Sequence, residues 1–164
     1  MSSSSDQQIQ KLDEIGATYE IIQIDPQFSD TAAFCETYHY PLEQTCNTII
    51  VTSKRGPKKY AACVILAHTR LDVNKRVTIL LSTTKASFAP AEEVKELTGM
   101  ELGGVTPLGL PAGLPLYIDD RVMEAPWVIL GGGSRKIKIK IKPEVLVQLG
   151  GQVIPELALV VPSH

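Results

Sequence analysis

The stretch GGGSRKIKIKIKP, Gly131 to Pro143, alternates strictly from Lys136 to Lys142. Side chains of an extended chain point to opposite faces in turn, so this is a strand, with Ile137, Ile139 and Ile141 on one face and Lys136, Lys138, Lys140 and Lys142 on the other. The pattern predicts isoleucines in the core and all four lysines in water, as on an edge or exposed antiparallel strand whose charges oppose edge-to-edge pairing. Four ammonium groups spaced about 6 to 7 Å apart could also meet the phosphates of a nucleic acid. Three consecutive glycines ahead of the strand are entropically costly and imply a tight loop or a close backbone approach.

Working outward, Pro143-Glu-Val-Leu-Val-Gln-Leu starts a short helix with proline near its first position and Gly150 closing it. Upstream, Trp127-Val-Ile-Leu and Leu116-Tyr-Ile-Asp read as strands. Between Glu101 and Gly113 the density of glycine and proline excludes regular structure. Ala91 to Leu97 predicts a helix closed by Gly99, and Ser87-Phe88 a short strand before Pro90. Leu71, Val73, Val77 and Leu80 give 71–81 a helical spacing. Thr48-Ile-Ile-Val-Thr and Tyr60 to Ala67 form a hairpin around the turn-rich 53–59, and AACVILA, apolar on both faces, belongs at the centre of a sheet. Towards the start, Ile9, Leu12 and Ile15 predict a helix over 7–15 ended by Gly16, Tyr19 to Ile24 a strand before Asp25-Pro26, and Asp30 the N-cap of a helix from Thr31 to His39.

These elements make an α+β (mixed α/β) domain, a mixed and mainly antiparallel sheet flanked by helices. The 164 residues suit one domain, placed at 7–164 behind a disordered leader at 1–6. A formal charge of -2 argues against coating of nucleic acid by bulk charge and leaves room for a local basic patch. No apolar run approaches the roughly 18 to 20 residues of a membrane span, and MSSSSDQQ lacks the pattern of a signal peptide. Together these predict a cytoplasmic protein without a membrane partner.

Cys35, Cys46 and Cys63 form no metal-ligand spacing and read as reduced packing thiols. With His39, His68 and His164 equally scattered, and with no P-loop or dinucleotide fingerprint, neither a metal nor another cofactor is expected. His68 reads as a hydrogen-bonded structural histidine and Asp119-Asp120 as a turn signal. Lys54-Arg-Gly-Pro-Lys-Lys59 is a solvated hairpin tip on which a phosphate could rest.

Two glycine-rich segments interrupt core elements, Gly103-Gly-Val-Thr-Pro107 and Gly131-Gly-Gly133. Glycines expose backbone N–H groups, and two such loops can wall a pocket for a carbonyl or carboxylate oxygen. Taken in order, AACVILAHTRLDVNKRV, Lys85-Ala-Ser-Phe-Ala-Pro90, ELTGMELGGVTPLGL, PLYIDDRV and VILGGGSRKIKIKIKPEVLVQL resemble the YbaK family. That family is related to the editing insertion domain of bacterial prolyl-tRNA synthetase and includes free-standing trans-editing members. The resemblance runs from about Pro41 to Leu149, and its most specific pieces are Thr98-Gly99, Gly103 to Gly109, and the glycine turn with Arg135.

The resemblance implies a trans-acting aminoacyl-tRNA deacylase that removes a small amino acid from a mischarged tRNA, with tRNA and an aminoacyl-tRNA synthetase as partners. It places Gly103, Gly104, Thr106 and Pro107 in the amino-acid pocket facing Gly131, Gly132 and Gly133, with Asn47 at the mouth. Asn47, Gly103 and Gly104 are its catalytic candidates. Arg135, Lys136, Lys138 and Lys140 are candidate tRNA contacts. Backbone donors would hold the oxyanion while water attacks, so no Ser-His-Asp set is needed. This chain departs from the family twice: Asn47 precedes Thr48 where editing members carry lysine, and Lys138 and Lys140 stand where acidic residues are frequent. The alternative is a degenerate member that binds tRNA or a synthetase without turnover.

Overall fold

The computed structural model describes residues 4–160. Helix α1 (Ser4–Glu14) begins ahead of the expected Gln7, buries Leu12 completely and ends at Gly16, whose φ is +70°. Residues 1–3 of the expected leader lie outside the described residues. Next come β1 (Tyr19–Gln23), α2 (Thr31–Tyr38), β2 (Cys46–Ser53), β3 (Tyr60–Leu66) and β4 (Thr69–Leu71). The short α3 (Thr78–Leu80), β5 (Ala86–Phe88), α4 (Ala91–Thr98), β6 (Leu116–Asp119) and β7 (Val128–Gly131) follow. The chain then runs through β8 (Ile137–Ile141), α5 (Glu144–Gln148), β9 (Gln152–Ile154) and β10 (Ala158–Val160).

The main sheet has the order β5-β2-β3-β6-β9, with β2 antiparallel to β3 and β5, and parallel pairing from β3 to β6 and from β6 to β9. The hairpin register sets Thr52 opposite Tyr60 and Asn47 opposite Ile65. Strand β3 is central, as its composition requires: Ala62, Val64 and Leu66 enter one apolar cluster while Ala61, Cys63 and Ile65 enter another on the opposite face. A second, antiparallel sheet runs β1-β8-β7. A parallel bridge between Thr45 and Ile129 joins it to the start of β2. The result is the expected mixed, mainly antiparallel α+β fold.

The expected helix over 71–81 is a correction. Leu71 closes β4, Asp72 accepts a hydrogen bond from Lys75 N, a π-helical turn covers Val73–Val77, and only Thr78–Leu80 is α-helical. The apolar residues of this stretch do reach the core, Leu71 and Val77 among them. Strand β4 forms because β10 supplies its partner, with Ala158 opposite Leu71, a pairing no local pattern announces.

The larger correction concerns the lysine strand. Strand β8 is the middle strand of its sheet rather than an edge, with Ile22 of β1 opposite Lys138 and Leu130 of β7 opposite Ile139. Ile139 and Ile141 enter the main core as the alternation demands. The lysine face is covered as well, because Phe34 of α2 packs with Ile24, Cys35 and Ile129 beside it. Lys138 is therefore only 5% exposed. Lys140, half-buried, lies over the Trp127 ring at 4.3 Å and pairs with Glu20 at 3.8 Å. Lys136 and Lys142, outside the strand, are the two that reach water freely.

Candidate active site

A cavity of about 140 Å³ opens where four segments meet: Ser29, Asp30 and Thr31 ahead of and entering α2, Cys46, Asn47 and Thr48 opening β2, Leu102, Gly103 and Val105 of the glycine-proline loop, and Gly131 with Lys138 from β7 and β8. The bridge between Thr45 and Ile129 draws the start of β2 against β7, so residues far apart in sequence converge here.

Two of the three catalytic candidates line this cavity, Asn47 and Gly103, together with Gly131 and Lys138. Gly104 sits just behind it, with its carbonyl accepting from Gly133 N at 2.9 Å. That bond makes the two glycine segments direct neighbours. A Cβ on Gly131 would stand 2.4 Å from Val105 O, and one on Gly104 would stand 2.8 Å from the Ser134 carbonyl carbon. The glycines are thus required by backbone-to-backbone approach. Gly132 packs against Ile137, and Gly133, at φ +90°, against Gln8. Thr106 is fully buried, its hydroxyl accepting from Leu108 N at 3.4 Å. Pro107 faces a separate groove with Lys11 and Leu149.

The remaining tRNA candidates divide. Arg135 donates through Nε to Ser29 Oγ at 3.0 Å and through Nη2 to Pro26 O at 3.1 Å, so it braces the loop that enters the cavity. Lys136 carries its side chain into solvent and accepts Ile24 N on its carbonyl at 2.9 Å.

Ser29, Asp30, Thr31, Cys46, Thr48 and Leu102 were not anticipated at the site, whereas Val105 belongs to the expected Gly103–Pro107 wall. Asp30 holds the expected N-cap position, yet its carboxylate makes no capping hydrogen bond. Thr31 donates to Asn47 Oδ1 at 2.5 Å, which fixes the asparagine and leaves its amide nitrogen to donate. Thr48 Oγ1 is buried with no hydrogen-bond partner. Such a hydroxyl costs free energy unless a ligand or water satisfies it.

Lys138 is the cation of this lining. Its Nζ donates to Ser29 O at 2.7 Å and lies 5.5 Å from the centre of the Phe34 ring. Burial pulls its ammonium below the ordinary lysine value, and Cys35 and Asp30 oppose that shift. The thiols behave oppositely. Burial raises Cys46 far above an ordinary thiol and pushes Cys63 up to about 12, and it also raises Cys35, opposed by that thiol's hydrogen bond to Thr45 Oγ1 and by Lys138. Burial thus works against a thiolate at each of the three cysteines. A thiol reagent at about pH 8 is expected to find no fast-reacting cysteine in the native protein and to titrate all three in guanidinium; rapid native labelling of Cys46 would contradict this.

Neither His68 nor Asp119 joins the cavity. His68 lines a separate groove with Arg121 and Glu124. Asp119, fully buried, accepts Ala158 N at 3.2 Å and lies 3.5 Å from Arg121 Nη1, so it ties β10 to the sheet. Among the described residues no group of histidines, cysteines and carboxylates is arranged to hold a metal.

A sequence model of the aminoacyl-tRNA editing domain matches residues 25–149, a span that holds every residue lining the cavity. The chain belongs to the aminoacyl-tRNA editing domain family. This editing-domain chain is 25% identical over 101 residues to EbsC of Enterococcus faecalis, which is named as a proposed Cys-tRNA(Pro)/Cys-tRNA(Cys) deacylase. That match covers 62% of this chain and 59% of EbsC. It is 29% identical over 118 residues to YwhH of Bacillus subtilis, a protein without an assigned activity, covering 68% of this chain and 75% of YwhH. A crystal structure of a protein described as a candidate trans-editing enzyme for prolyl-tRNA synthetase superposes with a TM-score of 0.80 at 24% identity, covering 99% of each chain. This last likeness shows that the editing-domain fold is shared.

Proposed function

We propose that the protein is a trans-acting aminoacyl-tRNA deacylase, hydrolysing the ester between a small amino acid and the end of a mischarged tRNA. The observation that carries this reading is the cavity. At about 140 Å³ it approaches the roughly 150 Å³ that holds a benzene-sized group and falls below the roughly 300 Å³ at which drug-sized pockets begin. Its lining combines Asn47, Thr48 and Lys138, which can face an ester, with Leu102 and Val105, which can enclose a short side chain.

Water is the nucleophile in this reading, since the described residues lining the cavity include no activated thiol and no serine-histidine pair. Asp30 supports binding of the substrate α-ammonium, and the mobile proton steps belong to water and the substrate's own groups. No cofactor is needed. The partners are the acceptor end of tRNA and, through it, an aminoacyl-tRNA synthetase. No described helix is long and apolar enough to cross a membrane, which fits the cytoplasm where translation occurs.

The test is multiple-turnover deacylation of tRNAs charged with alanine, cysteine, serine and threonine. The natural protein is expected to clear at least one of them catalytically. Asn47→Ala removes the acceptor of the Thr31 hydroxyl and is expected to lower kcat/KM about tenfold, the size of one hydrogen bond. Retention of charged tRNA with no turnover of any member of the panel would favour the binding-module reading, which Asn47 itself motivates.

A further inference from the structure

We propose that Lys138 is the catalytic cation of this pocket, holding the ester carbonyl oxygen as it becomes an oxyanion. The inference rests on the deacylase reading and adds a role for a residue that the alternating sequence consigns to solvent. Lys138 is 5% exposed and is the positive charge among the residues lining the cavity. Its ammonium has three N–H donors, and the structure gives it one acceptor, the neutral Ser29 carbonyl, beside an aromatic face. No carboxylate among the described residues pairs with it directly.

Burying a charge without a paired counter-charge is costly. A fold that keeps one at the wall of a polar cavity has already carried the desolvation that makes an electrostatic group effective there. An anionic oxygen entering the cavity would supply the missing acceptor. Asp30, lining the same cavity, helps to keep the lysine charged and remains for the substrate amine. Asn47 is uncharged, and Lys138 brings to the same cavity, from another strand, the charge it lacks.

The step balances without another reagent. Water adds to the ester carbonyl carbon, and the carbonyl π pair moves to oxygen, where Lys138 N–H groups hold it. The tetrahedral species collapses as C=O re-forms and the bond to the ribose oxygen breaks. The proton lost by the attacking water reaches that departing oxygen. The amino acid leaves as a carboxylate, and its proton passes to solvent.

The probe is an adenosine 3′-ester of 1-aminoethylphosphonate, whose anionic tetrahedral phosphorus stands for the oxyanion. Lys138→Met is expected to weaken its binding about 10- to 100-fold, the range for loss of a charge-assisted hydrogen bond. The same variant is expected to lower kcat on a cleared aminoacyl-tRNA about 10²- to 10³-fold. Its melting temperature should hold or rise, because methionine fills the site without a buried charge. Asn47→Lys placed on Lys138→Met should restore probe affinity by returning a cation to the cavity. Equal probe affinity in the natural protein and Lys138→Met overturns the inference, and so does a loss of affinity that merely tracks a loss of stability. Probe binding reads out even if no tRNA of the panel is cleared, so failure of the deacylase reading is told apart from failure of this one.

Discussion

Gly131→Ala is expected to lower deacylation by about 10² or more and to destabilise the protein by about 3 kcal/mol, the upper range for overpacking a filled site. The new methyl would lie 2.4 Å from Val105 O and close to the Gly104 carbonyl carbon, both backbone atoms that cannot rotate away. Relief requires β7 to separate from the glycine-proline loop, and that separation strains the Gly133 N to Gly104 O bond while moving Gly103, Val105 and Gly131 within the cavity wall. Turnover should fall by about 10² or more, since small displacements of positioning groups are enough to cause such losses. Urea unfolding and single-turnover deacylation read the two effects. Gly56→Ala is the control: Gly56 has φ +71° with nothing within 4 Å of an added Cβ, so it should cost only the left-handed strain, about 1 kcal/mol, and leave turnover intact. Similar stability losses in both variants would mean that the close approach at Gly131 is not what excludes a side chain.

Phe34→Ala is expected to cost about 3 to 5 kcal/mol, the range for deleting a buried aromatic ring, or roughly 10 °C in melting temperature for a chain of this size. Phe34 is fully buried, stacks on Tyr40 at a centroid distance of 5.2 Å, and meets Tyr38 at 5.6 Å. It holds α2 against the lysine face of the β1-β8-β7 sheet and places its ring beside Lys138 Nζ. Losing the ring opens a void that water can enter, which hydrates the ammonium and loosens the Ser29 to Thr31 segment. Activity measured well below the new melting temperature should therefore fall as well. Phe34→Leu, which keeps most of the volume, should recover the larger part of both losses. A Phe34→Ala protein with unchanged melting temperature would show that α2 does not depend on this ring for its docking.

Four strands of the main sheet, β2, β3, β5 and β6, were legible because their signals are local, whereas its fifth strand, β9, was not anticipated. The doubly apolar run of β3, the turn-rich 53–59 segment and the left-handed Gly99 after α4 each follow from neighbours in sequence. The β4–β10 pairing was not legible, since Leu71 and Ala158 stand far apart in the sequence, and the helical spacing of 71–81 is equally compatible with a strand, a π-helical turn and a short helix that bury the same residues. At the site, the glycine segments stood out as motifs, and the family resemblance pointed to Asn47. Ser29, Asp30 and Thr31 did not, because a Ser-Asp-Thr sequence before a helix reads first as a cap. Only the absence of a capping bond at Asp30 frees its carboxylate for the cavity.

The sequence by itself determined that residues 137–141 form a strand with isoleucines and lysines on opposite faces, because the two-residue period of an extended chain leaves no other assignment. It could not determine what covers the lysine face. That depended on α2 folding across β8 with Phe34 at its centre, and on β1 and β7 pairing on either side. Alternation specifies which side chains share a face, whereas solvation of that face is set by whichever distant element packs upon it. Here the tertiary structure took Lys138 out of water and put its ammonium in the wall of the cavity.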